Sequence, residues 1–98
     1  MTLTIDSNWW KTLFDETYLV TDARSVCNDE ITRREVSVIC RLVSLRRHHR
    51  ILDLCGGHGR HSIELCRRGY THCTVCDYSL TLLRMGADSA ARRSCHLR

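Results

Sequence analysis

The sequence predicts a small α/β domain with elements in the order α-α-β-α-β-α and a minimal parallel sheet. Two observations lead there. Two short apolar runs, Ile51-Leu52-Asp53-Leu54 and His72-Cys73-Thr74-Val75-Cys76, alternate with longer stretches of helical periodicity. A glycine-rich turn, Gly56-Gly57-His58-Gly59, then joins the first run to the helix that follows it. With 98 residues the chain has room for one modest core. The expected organisation is an N-terminal helical cap over residues 1–49, a βαβα unit over 50–93 and a loose basic tail over 94–98.

Each element has a local reason. Asp6 or Ser7 can cap a first helix reaching Leu19, in which Trp9/Leu13 and Trp10/Phe14 pair at i,i+4 spacing. Residues 20–28 read as a loop. A second helix starts near Asn28 or Asp29 and runs to about Leu45; Ile31, Val38, Leu42 and Leu45 form its apolar stripe, widened by Ile39 and Val43. Arg46-Arg47-His48-His49-Arg50 is a polar connector. After the first strand and its glycines, a helix passes through Ile63, Leu65 and Cys66. Arg67-Arg68 complement its C-terminal dipole and Gly69 closes it. The second strand ends at Asp77, and Ser79 can cap a last helix through Leu82, Leu83, Ala87 and Ala90, with Gly86 as an internal cost.

Composition narrows the function classes. At 43% hydrophobic and 27% charged residues, disorder and collagen-like structure are excluded. No apolar run approaches a membrane span, and Asp6, Lys11, Asp15 and Glu16 interrupt any signal-peptide core, so a cytoplasmic location is expected. The formal charge is +4, drawn from 14 arginines and one lysine and concentrated after residue 45. No run exceeds two arginines and no aromatics interleave with them. Solvated helix faces therefore account for the charge better than a nucleic-acid surface, though a small basic nucleic-acid module stays as a rival. The seven cysteines are odd in number and sit mostly in apolar-periodic segments, so reduced, structural thiols are expected. Cys73-x-x-Cys76 and His58-x-x-His61 have ligand-like spacing, but residues three apart on a strand face opposite ways, and no metal site is expected.

The chemistry gathers around the glycine turn. Between a buried strand and a helix start, glycines allow close backbone approach to a ligand. Asp77 closes the second strand 18 residues beyond Gly59, a spacing suited to a carboxylate receiving ribose hydroxyls. A nucleoside-containing cofactor at the carboxyl ends of the two strands follows. A P-loop is excluded because no Lys-Ser/Thr pair follows the glycines in register. A dinucleotide fingerprint is also incomplete, since Ser62 stands at the third glycine's place. Asp53 inside the strand suits a cation, such as an α-amino group or a sulfonium, better than a diphosphate. An adenosyl amino acid fits these residues best.

Residues 50–79 resemble the first cofactor motif and second strand of a Rossmann-like, class I S-adenosylmethionine-dependent methyltransferase. The likeness lies in Leu52-Asp53-x-x-x-Gly57-x-Gly59-Arg60-His61-Ser62, with Arg60 and His61 opening the helix. Upstream, Trp9-Trp10-Lys11-Thr12-Leu13-Phe14-Asp15-Glu16 resembles the N-terminal aromatic helix that packs over the cofactor in such proteins. The resemblance implies S-adenosyl-L-methionine as cofactor. It implies that Asp53 helps position the methionine amino group, and that Cys55, Gly56, Gly57 and Gly59 line the cofactor. Asp77 would hold the ribose hydroxyls, with Tyr78 packing near the adenine. Cys55 departs from the family's usual glycine or alanine. A complete fold of the family has several strands beyond the two expected here. The chain is thus expected to be the N-terminal part of such a fold, a truncated fragment with an exposed sheet edge. The alternative function is a catalytically inactive binding or interaction module. Exposed aromatics or the sheet edge would then favour self-association or a partner.

Overall fold

The computed structural model describes residues 4–21 and 27–98. Five helices and two strands lie within them. In order these are α1 (Trp10–Leu13), α2 (Glu16–Thr21), α3 (Asp29–Leu42), β1 (Ile51–Leu54), α4 (Arg60–Arg67), β2 (Cys73–Cys76) and α5 (Leu80–Arg92). The strands pair in parallel, with Ile51 opposite Cys73 and Leu54 opposite Cys76. The molecule is thus a mixed α/β domain with a two-stranded parallel sheet. No helix among the described residues is long and apolar enough to cross a membrane.

The helix caps form where short polar side chains offer an acceptor. Asn28 Oδ1 accepts from the Ile31 N–H at 3.0 Å and opens α3, and Ser79 Oγ accepts from the Leu82 N–H at 3.2 Å and opens α5. The expected single first helix is instead two short ones. Phe14 ends α1 with non-helical backbone, and Asp15 Oδ1 caps α2 by accepting from the Thr17 N–H at 2.9 Å. A short carboxylate side chain competes with helix continuation by capping a fresh start. Part of the expected 20–28 loop, residues 22–26, lies outside the described residues.

One face of the sheet carries the core. Val36 of α3, Leu65 of α4 and Cys73 of β2 form a buried cluster, with Cys40, Ile51 and Tyr70 packed around it. The stripe expected on α3 is corrected by this packing. Val36 and Thr32 are buried, whereas Val38, Leu42 and Val43 face solvent. The row 32–36–40 faces α4, and the apolar row beside it has no described layer to cover it. Arg68 fastens the two helices. Its guanidinium donates to Glu64 Oε1 (3.1 Å), Ser37 Oγ (3.0 Å) and the Arg33 carbonyl (2.9 Å). In the polar connector, Arg47 Nε donates to the Arg68 carbonyl at 2.8 Å and the guanidinium stacks over Tyr70.

The opposite face of the sheet is bare among the described residues, with Leu52 and Leu54 more than 60% exposed. The tail is not loose, contrary to expectation. Cys95 is buried beside Ile63 and Ala90. The Arg98 N–H donates to the Cys73 carbonyl at 3.1 Å, and the Arg98 carbonyl accepts from the Val75 N–H at 2.6 Å. These two bonds have the pattern of a parallel bridge centred on Thr74. They cover the β2 edge that the sequence left open, while the free edge of β1 has no described neighbour.

Candidate functional site

The strands end side by side, and their last residues turn into a loop with an unusual backbone. Cys55, Gly57 and Gly59 all adopt positive φ, at 57°, 59° and 75°. For Gly57 and Gly59 this left-handed conformation carries no Cβ penalty. For Cys55 it stores strain of about 1 kcal/mol. Gly59 then starts α4 without any side-chain cap.

Asp53 and Asp77 converge from the two strands on one cavity of about 470 Å³. Asp53 Oδ2 accepts from the Ser62 hydroxyl at 2.7 Å, so the first turn of α4 fixes its carboxylate. Asp77 spans the loop and α5. Its Oδ2 accepts from the Gly57 N–H at 2.9 Å and its Oδ1 from the Ser79 N–H at 2.8 Å. Cys55, Gly56, Gly57 and Tyr78 line the same cavity. So do Trp10, Phe14 and Tyr18, which bring α1 and α2 over it. Trp10 meets Tyr78 edge to face with ring centroids 5.0 Å apart, and Phe14 meets Tyr18 in the same way at 5.0 Å.

Gly59 is the expected site residue that does not line this cavity. It faces a second one, of about 610 Å³, walled by Val75, Ala87, Ala90 and the 94–98 segment. That second cavity is larger, yet no Asp or Glu side chain lines it. The smaller cavity, which collects the two carboxylates and the aromatics, is the candidate site. Cys73 and Cys76 diverge as the strand period requires, Cys73 being buried and Cys76 exposed. Burial pushes the Cys73 thiol up to about 11.

Sequence reasoning gave Arg60 and His61 to the helix start and Ser62 to a missing glycine; the structure gives all three partners. His61 Nε2 lies 2.6 Å from Glu35 Oε2, and Arg60 Nη1 lies 3.2 Å from the same oxygen. Arg60 also donates to Thr32 Oγ1 at 3.1 Å. Both side chains sit on the cavity rim, so α3 anchors the rim through Glu35. The missed signal was Glu35 itself, an acidic residue beside the buried row of α3.

The hydrogen bond from His61 holds the Glu35 carboxyl below the ordinary glutamate range; partial burial opposes this and the charge of Arg60 reinforces it. A carboxyl that titrates lower in the folded chain stabilises it above the unfolded value, and loses that contribution as pH falls through the folded value. The wild-type unfolding midpoint should therefore drop faster below about pH 4.5 than that of Glu35→Gln. Coincident midpoint-against-pH curves in thermal melts would show that the Glu35 contacts do not hold the rim.

Matched against models of known protein families the chain fits none, and comparison with curated proteins likewise gives no match.

Proposed function

We propose that the cavity at the strand ends binds S-adenosyl-L-methionine, and that the chain is the cofactor-binding part of a methyltransferase acting on a nucleophilic acceptor. The observation that carries this reading is the convergence of Asp53 and Asp77, from adjacent parallel strands, on one cavity roofed by aromatic side chains. Ligand crevices of open α/β sheets lie at the carboxyl ends of the strands. The volume falls within the range of small-molecule sites.

The residues present fit the cofactor's chemistry. Asp53 is oriented by Ser62 and keeps acceptor capacity on Oδ1 for an ammonium group. Each Asp77 oxygen accepts one backbone N–H and retains a lone pair for a ribose hydroxyl. Trp10 and Tyr78 offer aromatic surface to a purine and a negative ring face to a cation. When bound, the cofactor supplies a sulfonium methyl that a nucleophile attacks in line. The side chains here bind and orient it and keep water away, a contribution made through positioning. The resemblance of residues 52–62 to the methyltransferase motif, and Ser62 at a dinucleotide fingerprint's third glycine, favour this cofactor over a dinucleotide.

Calorimetric titration with S-adenosylhomocysteine tests the reading. Saturable 1:1 binding is expected, weakened at least tenfold in Asp53→Ala and in Asp77→Ala while circular dichroism shows the fold retained; that is a loss of about 1.4 kcal/mol or more. A folded chain that takes up no ligand would overturn the proposal and favour a binding module without a cofactor.

A further inference from the structure

All seven cysteines carry free thiols, and two of them meet across the fold. Cys66 stands in the last turn of α4, half-buried, and packs against the buried cluster of Ile63, Ala90 and Cys95. The Cys95 Sγ reaches the same helix, 4.0 Å from the Ile63 carbonyl oxygen. Ile63 and Cys66 are three residues apart and share one helix face. Cys66 and Cys95 therefore share one buried cluster, the first from α4 and the second from the segment that follows α5. Of the other five, Cys27, Cys55 and Cys76 are exposed, Cys40 is half-buried against the separate cluster that holds Cys73, and the Cys73 thiol donates to the Tyr70 carbonyl at 3.4 Å.

We propose that Cys66 and Cys95 form a reversible disulfide, a redox staple that fastens the 95–98 segment to α4. This goes beyond the cofactor reading and does not depend on it. The oxidant is a small-molecule disulfide such as oxidised glutathione. The half-buried Cys66 is the accessible member, so its thiolate attacks one glutathione sulfur and expels one glutathione thiolate. Burial pushes the Cys95 thiol up, so little of it is thiolate, and its placement in the same cluster as Cys66 lets it act in the second, intramolecular step. Cys95 gives up its proton and attacks the Cys66 sulfur of the mixed disulfide, expelling the second glutathione thiolate. Two protein thiols lose two electrons and two protons, and one glutathione disulfide leaves as two thiols.

The ring closed in this way contains β2, Asp77 and all of α5. Oxidation therefore ties one wall of the candidate site, and the segment bridged to β2 through Arg98, to the opposite helix. A loop of about 30 residues closed by a disulfide should raise the unfolding midpoint on the order of 10 °C.

The sequence makes the assignment clean. Tryptic cleavage isolates Cys66 in the peptide His61–Arg67 and Cys95 in Ser94–Arg98, whereas Cys73 and Cys76 share Gly69–Arg84. The native full-length chain is incubated with oxidised glutathione, alkylated, digested without reduction and analysed by mass spectrometry. The expected result is a cross-link between His61–Arg67 and Ser94–Arg98 that dithiothreitol removes, together with the raised midpoint. In Cys95→Ser, Cys66 should stop as the stable glutathione adduct. The proposal is overturned if Cys66 and Cys95 are recovered alkylated while Cys27, Cys55 and Cys76 carry glutathione. It is equally overturned if His61–Arg67 is linked to Gly69–Arg84. The map of the unaltered chain decides the matter even if serine at buried position 95 prevents folding.

Discussion

Gly86→Ala should lower the unfolding midpoint by roughly 5–15 °C, although alanine is the better helix former. A Cβ at residue 86 would lie 2.5 Å from the His58 carbonyl oxygen and 2.8 Å from its carbon, both backbone atoms of the glycine loop. Backbone cannot swing aside as a side-chain end can, so α5 must move off the loop. Overpacking costs about 1–3 kcal/mol, and a collision with backbone belongs to the upper part of that range, so the propensity gain of about 1 kcal/mol leaves a net cost of about 1–2 kcal/mol. The shift would also disturb Leu82, which is 1% exposed and lies under Gly57. Asp88→Ala, on the exposed side of the same helix, gains propensity without a collision and should be neutral or slightly stabilising. Thermal melts of the two chains followed by circular dichroism give the answer. A Gly86→Ala chain as stable as the parent would mean that α5 does not rest on the loop.

That glycine shows where sequence reasoning stops. Periodicity registers Gly86 only as a weak spot in a helix, because the close approach of α5 to His58 is a contact between segments distant in sequence. Local features were legible for the opposite reason. Asn28 and Ser79 cap their helices with their own side chains, and Val75 with Thr74 favours a strand wherever it packs. The stripe on α3 failed because periodicity ranks faces by their apolar content. Val38 and Leu42 form the more apolar row, but α4 lies against Thr32 and Val36. The 94–98 segment failed in a similar way. A short arginine-containing stretch looks solvated until Cys95 finds Ile63 and Arg98 finds the edge of β2.

The candidate site was legible further than the fold around it, since most of it is one continuous loop. Asp53 through Gly57 are adjacent in sequence, and parallel pairing alone brings Asp77 and Tyr78 to them. Gly59 fell on the other wall because the turn that uses its positive φ rotates it away from the cavity and towards Val75. Glu35 lay beyond reach, because its link to His61 spans 26 residues and depends on how α3 packs on α4.

Gly56→Ala should have the largest effect on the proposed cofactor affinity, a loss of tenfold or more for S-adenosylhomocysteine. The added Cβ would lie 2.6 Å from Asp53 Cγ and 2.8 Å from both carboxylate oxygens. The carboxylate is the only group there free to give way, and moving it breaks the 2.7 Å bond from Ser62. Ser62 is fully buried, so its hydroxyl would lose its acceptor at a cost of about 1–3 kcal/mol, and the chain should be less stable as well. Gly57→Ala is the comparison. At φ 59° it strains the same loop by about 1 kcal/mol, but its Cβ meets only Leu82 Cδ1 at 3.6 Å and leaves Asp53 in place. If loop strain alone governs binding, the two substitutions will weaken it alike in parallel titrations. If the position of the Asp53 carboxylate governs it, Gly56→Ala will be much the weaker binder, with Asp53→Ala adding little on top. A Gly56→Ala chain that binds as tightly as the parent would remove Asp53 from the ligand contacts, and with it the reason for placing an ammonium group at the end of β1.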